Sequence, residues 1–407
     1  MDKSVQVTMM GLGYIGLPTA ALIASRKIQV TGVDINAQVI ETVNKGEIHI
    51  IEPDLEGLVK YTVEKGYLKA STKATPADVY LIAVPTPFKD NHVPDLSYIK
   101  AVIENITPLL KEGDLVIIES TSPVGTTEKM FEFIKAKRPE LASKIYFAYC
   151  PERVLPGKII YELERNDRVI GGINEESTLK ACKFYQLFVK GTLHRTNART
   201  AEMCKLVENS SRDVNIAFAN ELSMICEQAQ INVWELIELA NRHPRVNILQ
   251  PGPGVGGHCI AVDPWFIVNA YPKEAQIIAQ ARNINNYKTE WVIEKIKNTA
   301  LQFELDNKHK PVIACMGLAF KPNIDDLRES PAKYIAEMLQ NTEPDILLVE
   351  PNIETLAKGK TLTSTSTAMQ KADIIVFLVA HQKFNFLKEQ LSESKALVLD
   401  FCGFLHN

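Results

Sequence analysis

The stretch GGHCIAVDPW, from Gly256 to Trp265, sets a thiol beside two glycines and an imidazole, with the carboxylate of Asp263 four residues on. In such a setting Cys259 is a buried small hydrophobe, a metal ligand or a nucleophile. A metal is disfavoured: His258 and Cys259 are adjacent and no second Cys/His pair follows at ligand spacing, so no metal site is expected. The glycines at 254, 256 and 257 are expected to leave the Cys259 backbone open to a ligand, and neighbouring cations would favour the reactive thiolate. The other six cysteines form no C-x-x-C pair, and the odd total points to reduced thiols in a cytoplasm rather than a disulfide framework.

A nucleophile needs an electrophile and a pocket, and the chain offers both at a distance. VQVTMM (5–10) runs into Gly11-Leu-Gly13-Tyr14-Ile15-Gly16, then into a helical pattern with Pro18 in its first turn. QVTGVD ends at Asp34, eighteen residues after Gly16. Strand before, helix after and acid at that distance make a dinucleotide-binding βα unit: glycines for the turn and the pyrophosphate, the acid for the ribose hydroxyls. Asp34 would repel a 2′-phosphate, so NAD is expected rather than NADP.

Further apolar runs, VYLIAV (79–84), LVIIES (115–120) and KIYFAY (144–149), read as strands covered on both faces. They end in PTP, TSPVGTT and CPER. In an open parallel sheet ligands sit beyond the carboxyl ends of strands, which singles out Thr86, Thr121 and Glu152. Around residue 198 the pattern turns helical for some thirty residues, roughly 45 Å, enough to link two domains and to offer a dimer surface. On it Lys205, Asn209 and Arg212 share one face. That stripe is a solvated face or a set of donors aimed at an anionic, hydroxyl-rich ligand, and the pattern leaves both open. PVIACMGLAF (311–320), DILLVEP (345–351), DIIVFLVA (373–380) and ALVLDF (396–401) then begin a second α/β unit, whose first loop carries Lys321 and Arg328.

The expected architecture is α/β in three parts: a Rossmann NAD domain over 1–197, a central long-helix domain that could pair two copies over 198–305, and a second, Rossmann-like nucleotide domain over 306–407. A chain of 407 residues with a net charge of -4 and no run of like charge points to a small partner and no nucleic acid. The uncharged run from Ser4 to Ser25 is broken by glycines and Pro18, so no membrane span is expected.

Six blocks, GLGYIGLP, ESTSPVGTT, CPERVLPG, EMCKLVENSSRDVNIAFANE, GPGVGGHCIAVDPWF and GLAFKPNIDDLRESP, together resemble the UDP-glucose/GDP-mannose 6-dehydrogenase family, in order along nearly the whole chain. HIIEPDL, NRHPRVNILQPGPGVGGHCIAVDPWF and AFKPNIDDLRESPA most resemble the branch that oxidises UDP-N-acetyl-D-mannosamine; UDP-N-acetylglucosamine and UDP-glucose are the alternative sugars. The resemblance implies a four-electron, NAD-dependent oxidation at C6 through a Cys259 thiohemiacetal and thioester, in a homodimer or larger homo-oligomer that serves a bacterial surface polysaccharide. It implies an oxyanion pair in Lys205 and Asn209, water or lysine ordering by Asp263 and Thr121, and proton transfer by Glu152. It places the sugar nucleotide on Arg153, Val154, Arg212, His243, Arg245, Gly256, Phe320 and Lys321, and Arg328 on the cofactor. A two-electron hydroxyacid or sugar-acid dehydrogenase would have no need of Cys259, and a non-catalytic NAD-sensing protein would need none of Lys205, Asn209 or Cys259.

Overall fold

The computed structural model describes residues 5–89, 92–155, 157–257, 259–341, 345–356 and 361–406; His258 lies outside them. The chain divides into two compact units, Met1–Glu208 and Asn209–Asn407. The division falls inside one continuous helix, Ala198–Ala229.

The first unit is an eight-stranded sheet. Its strands are β1 (Gln6–Met10), β2 (Gln29–Val33), β3 (Leu68–Ser71), β4 (Val79–Ile82), β5 (Leu115–Ile118), β6 (Tyr146–Tyr149), β7 (Arg168–Gly172) and β8 (Leu193–Asn197). They lie in the order β3-β2-β1-β4-β5-β6-β7-β8, so the order reverses between β1 and β4, where a doubly wound sheet opens its ligand crevice. Val7, Met9, Leu81 and Ile117 point into one core and Tyr80, Ile82, Val116 and Ile118 into another, as strands covered on both faces require.

The sequence patterns miss β3, β7 and β8. LKAS is short, RVIGG carries two glycines, and LHRTN is polar with mostly exposed side chains, so none shows an apolar run. Moreover β7 runs antiparallel to β6, a reversal that strand periodicity cannot report.

The second unit holds the remainder of the long helix, a second long helix Gln276–Asn307, and a four-stranded parallel sheet. Its strands are β9 (Val312–Met316), β10 (Asp345–Val349), β11 (Ile374–Phe377) and β12 (Leu397–Asp400), in the order β10-β9-β11-β12. Among the described residues no helix is long and apolar enough to cross a membrane.

Candidate active site

At the carboxyl end of β1 the chain folds tightly on itself. Gly11, at φ 95°, donates its N–H to the Val33 carbonyl at 2.8 Å. A Cβ at Gly11 would lie 2.5 Å from the Ala83 carbonyl oxygen, and one at Gly16 only 1.8 Å from the Gly11 oxygen. Gly13, between them, has nothing within 4 Å of where its Cβ would be. Two glycines thus let backbone meet backbone, and the middle one keeps a face open beside the helix Gly16–Ser25. That helix has no side-chain cap and no acid in its first turn, so the positive end of its dipole favours an anion, although Leu17 N–H already donates to the Gly13 carbonyl at 3.1 Å and Pro18 has no N–H. Ile15 is its N-cap residue and Tyr14 stands 46% exposed beside it. Asp34, half-buried, accepts from Leu12 N–H at 3.0 Å and Asn36 N–H at 2.9 Å. An open glycine, an uncapped helix start and an accessible acid at the end of β2 fit the pyrophosphate and ribose of NAD.

The loops after β4, β5 and β6 carry the next three groups, and each is pinned. Ser120 accepts the Val84 N–H at 2.9 Å and donates to the Val84 carbonyl at 2.8 Å, which ties the loop of half-buried Thr86 to that of half-buried Thr121. The helix Thr126–Lys137 that follows is capped from outside by Glu202: one carboxylate takes Gly125 N–H at 2.5 Å, Thr127 N–H at 2.7 Å and the Thr127 hydroxyl at 2.6 Å. Burial raises the Glu202 carboxyl, against those donors.

Glu152 is 8% exposed; its Oε1 accepts Arg153 N–H at 2.8 Å and its Oε2 accepts Arg168 Nη1 at 2.7 Å. The Arg153 guanidinium is committed to Glu208 at 2.8 Å and to the Asp167 carbonyl at 2.5 Å, while Val154 packs on the N-terminal core. Buried Glu52 ties down the far end of this loop, accepting Gly157 N–H at 2.8 Å and Ile159 N–H at 2.7 Å.

In the second unit Cys259 is exposed and in no disulfide. Its carbonyl accepts the N–H groups of Val262 at 3.1 Å and Asp263 at 2.8 Å, so the thiol sits on a turn that leads into the helix Asp263–Ala270. Asp263 is 3% exposed and accepts Asn209 Nδ2 at 2.6 Å. The carboxylate predicted from the cysteine block and the amide predicted from the long helix therefore meet. Lys205 lies one turn before Asn209 on that helix and is half-buried; Arg212, one turn after, is exposed.

The glycines of the cysteine block face protein. A Cβ at Gly256 would lie 2.2 Å from the Glu329 oxygen and 3.0 Å from Phe320 Cβ; one at Gly257 would lie 2.9 Å from the Phe320 ring. The expectation that they open the backbone to a ligand is corrected on this point: packing of Phe320 and the 329–331 turn already requires their missing side chains. Lys321 places its Nζ 5.8 Å from the Phe320 ring centroid. Arg328 grips Asp326 with two guanidinium nitrogens, the shortest contact 2.6 Å. His243 and Arg245 are both exposed, with Arg245 N–H donating to His243 Nδ1 at 3.3 Å.

Sequence reasoning missed the groups that brace these loops. Glu52, Glu202 and Arg168 are single charged residues whose partners lie far along the chain. Asn220 and Thr289 sit within long helices, yet Asn220 accepts Gly252 N–H at 2.9 Å and Thr289 donates to the Pro253 carbonyl at 2.9 Å, fixing the start of the cysteine block. Asp213 completes this braced interior, accepting Arg282 at 2.7 Å and Asn285 at 2.8 Å. A signal existed in principle: polar residues at interior positions of an amphipathic helix.

Comparison with known proteins identifies the family. Residues 5–189 match the NAD binding domain of the UDP-glucose/GDP-mannose dehydrogenase family, residues 199–287 its central domain and residues 314–407 its UDP binding domain. The UDP-N-acetyl-D-mannosamine dehydrogenase of Escherichia coli is 55% identical over 397 residues, 94% of each chain. The NDP-N-acetyl-D-galactosaminuronic acid dehydrogenase of Ralstonia nicotianae is 53% identical over 415 residues, 98% of this chain and 97% of that one. Among solved structures, the UDP-D-ManNAc dehydrogenase of Pyrococcus horikoshii superposes with a TM-score of 0.88 at 38% identity, covering 98% of this chain and 96% of that one. The chain belongs to the UDP-glucose/GDP-mannose dehydrogenase family and is an NAD-dependent dehydrogenase of UDP-sugars.

Proposed function

We propose that the protein oxidises UDP-N-acetyl-D-mannosamine at C6 to the uronate, a four-electron reaction with Cys259 as nucleophile. The observation that carries this reading is the exposed Cys259 turn, whose carbonyl is held by the N–H of Asp263 while Asp263 holds Asn209. Two NAD molecules, bound in turn, would supply the hydride acceptors, one for oxidation of the alcohol and one for oxidation of the thiohemiacetal. The Cys259 thiolate adds to the aldehyde carbon, forming a C–S bond and an oxyanion. Lys205 and the Asn209 amide stabilise that oxyanion; Asp263, through its hydrogen bond to Asn209, keeps the amide oriented. Loss of the second hydride leaves a thioester. Glu152 then takes a proton from water, the water oxygen attacks the carbonyl carbon, the C–S bond breaks with its electron pair on sulfur, and the carboxylate leaves. Thr121 and Asp263 order the water or the lysine.

Gly11, Gly13, Tyr14, Ile15, Gly16, Asp34, Thr86, Thr121 and Arg328 hold the cofactor. The sugar nucleotide is held from Arg153, Val154, Arg212, His243, Arg245, Gly256, Phe320 and Lys321. We keep the three-part division 1–197, 198–305 and 306–407, and a homodimer or larger oligomer built on the long helix, where Phe218 and Ile225 are 54% and 57% exposed. The product enters a bacterial surface polysaccharide from the cytoplasm.

A second sugar, the N-acetylgalactosamine nucleotide, is favoured by the Ralstonia relative, whose identity nearly equals that of the mannosamine enzymes. Initial rates with NAD and UDP-N-acetylmannosamine, UDP-N-acetylgalactosamine, UDP-N-acetylglucosamine and UDP-glucose decide between them. The mannosamine sugar is expected to lead in kcat/KM by at least about tenfold, a difference of roughly 1.4 kcal/mol in transition-state binding. A larger value for any other sugar overturns the assignment and leaves the family untouched.

A further inference from the structure

The N-terminal unit buries two glutamates beyond the ends of β5 and β6. Glu119, directly after β5, is 3% exposed. Tyr185 donates its hydroxyl to Glu119 Oε1 at 2.6 Å, and Glu119 Oε2 is sealed from solvent with no hydrogen-bond partner among the described residues. Glu152 holds Arg168 through its own Oε2. Arg168 lies in the same interior: its Nη2 donates to the Leu163 carbonyl at 3.1 Å, its guanidinium lies 5.4 Å from the Tyr185 ring centroid, and its Nε is buried with no hydrogen-bond partner among the described residues. The groups that face Glu119 are Tyr185 from the helix Glu175–Tyr185, Cys150 and Glu152 from the β6 end, and Arg168 from β7.

Burial raises the Cys150 thiol to about 12 and lifts the Tyr185 hydroxyl well above its ordinary range, so neither ionises near neutral pH. The ionisable set is then two carboxyls and one guanidinium. With both carboxyls charged, this dry interior would hold an uncompensated negative charge, which is costly. One proton restores neutrality, and Glu119 Oε2 is the oxygen with room in its bonding to carry it.

We propose that Glu119 is a positioning residue for thioester hydrolysis: a buried carboxyl whose protonation sets the charge around the Glu152–Arg168 pair and thereby how readily Glu152 takes a proton from water. The inference rests on the hydrolytic role assigned to Glu152 above. Burial, then the charge of Glu152, raises Glu119 to about 7, against the opposing pull of Arg168 and the Tyr185 hydrogen bond. As pH climbs through neutrality Glu119 loses its proton, and a second negative charge then stands in this interior with Glu152 and Arg168. The folded protein holds a proton that the unfolded chain has released, so this stabilisation is complete below the ordinary value of 4.5 and is lost as pH rises through about 7.

Glu119→Gln keeps an oxygen for Tyr185 and cannot ionise. Infrared difference spectra of the full-length protein between about pH 6 and about pH 8 should show a protonated-carboxyl carbonyl band in the wild type that is lost at the higher pH and missing in the variant. In rapid-quench assays, the wild-type rate of acyl-enzyme breakdown should rise across neutral pH, whereas E119Q should stay at the low-pH rate. Absence of the band in the wild type, or its persistence in E119Q, overturns the proposal. So does a variant rate that still rises as the wild type does. Glu152→Gln in the same assay separates the underlying reading: breakdown at the wild-type rate removes Glu152 from hydrolysis, whether or not the infrared band reports a protonated Glu119.

Discussion

The two nucleotide-type units use the same clasp for opposite purposes. In the first, Gly11 N–H donates to the Val33 carbonyl, and Asp34 at the end of β2 accepts Leu12 N–H at 3.0 Å and Asn36 N–H at 2.9 Å. In the second, Gly317 N–H donates to the Val349 carbonyl, and Glu350 at the end of β10 accepts Leu318 N–H at 2.8 Å and Asn352 N–H at 3.0 Å. The backbone plan repeats; the surroundings of the acid do not. Asp34 is half-buried beside an open Gly13. Glu350 is 4% exposed and closed over by His381, itself 0% exposed, whose Nε2 lies 3.0 Å from Glu350 Oε2. His381 Nδ1 accepts Asn323 N–H at 2.9 Å, so the clasp reaches the loop that carries Phe320 and Lys321. An acid at this point of a doubly wound sheet stays accessible to a ligand where it is left wet and is a structural bolt where a histidine seals it.

The sharpest way to break the comparison is to remove each acid. Glu350→Ala strands His381 and the N–H groups of Leu318 and Ala319 in the interior and is expected to cost about 3–5 kcal/mol, read as a lower Tm in calorimetry. A loss under about 1 kcal/mol would mean the seal is loose.

The pH dependence should follow the same divide. Burial alone would raise the Glu350 carboxyl, yet His381 and the N–H groups of Leu318 and Asn352 together hold it below its ordinary 4.5. A carboxyl held low stabilises the fold above about 4.5, and that contribution is lost as pH falls through its folded value. Acid unfolding followed by circular dichroism should therefore lose part of its steepness in Glu350→Gln.

Asp34→Ala is expected to act on ligand binding instead. Losing charged hydrogen bonds to the ribose should raise KM for NAD roughly tenfold to a hundredfold with KM for the UDP-sugar unchanged, and should narrow the preference over NADP. Steady-state kinetics with each substrate varied in turn reads both. The smallest effect is expected at Lys45→Ala, which removes an exposed helical ion pair to Glu41 at 2.7 Å. Its Tm should match the wild type within error, since burial and not charge pairing distinguishes the clasp.

This contrast also explains what the sequence discloses. GLGYIG and Asp34 are legible because turn, helix start and acid follow one another locally at fixed spacing, and the apolar runs of β1, β4, β5 and β6 report their two-sided burial. Glu350 is not legible as a clasp, because the residue that seals it, His381, lies 31 positions away. Gly256 and Gly257 show the same limit: their spacing marks a tight backbone approach, but only the fold reveals that Phe320 makes it. Asn209 and Asp263 were legible as polar residues in chemical blocks, and the 2.6 Å bond between them is what the fold adds.

The measurement that tests the account most directly is the count of NADH formed per UDP-sugar consumed, for wild type and Cys259→Ala. The account predicts about two NADH per sugar in the wild type, from four electrons removed, and failure to complete the second oxidation in the variant. One NADH per sugar, with the variant unimpaired, would contradict it: Cys259 would then be a packing residue and the reaction a two-electron oxidation.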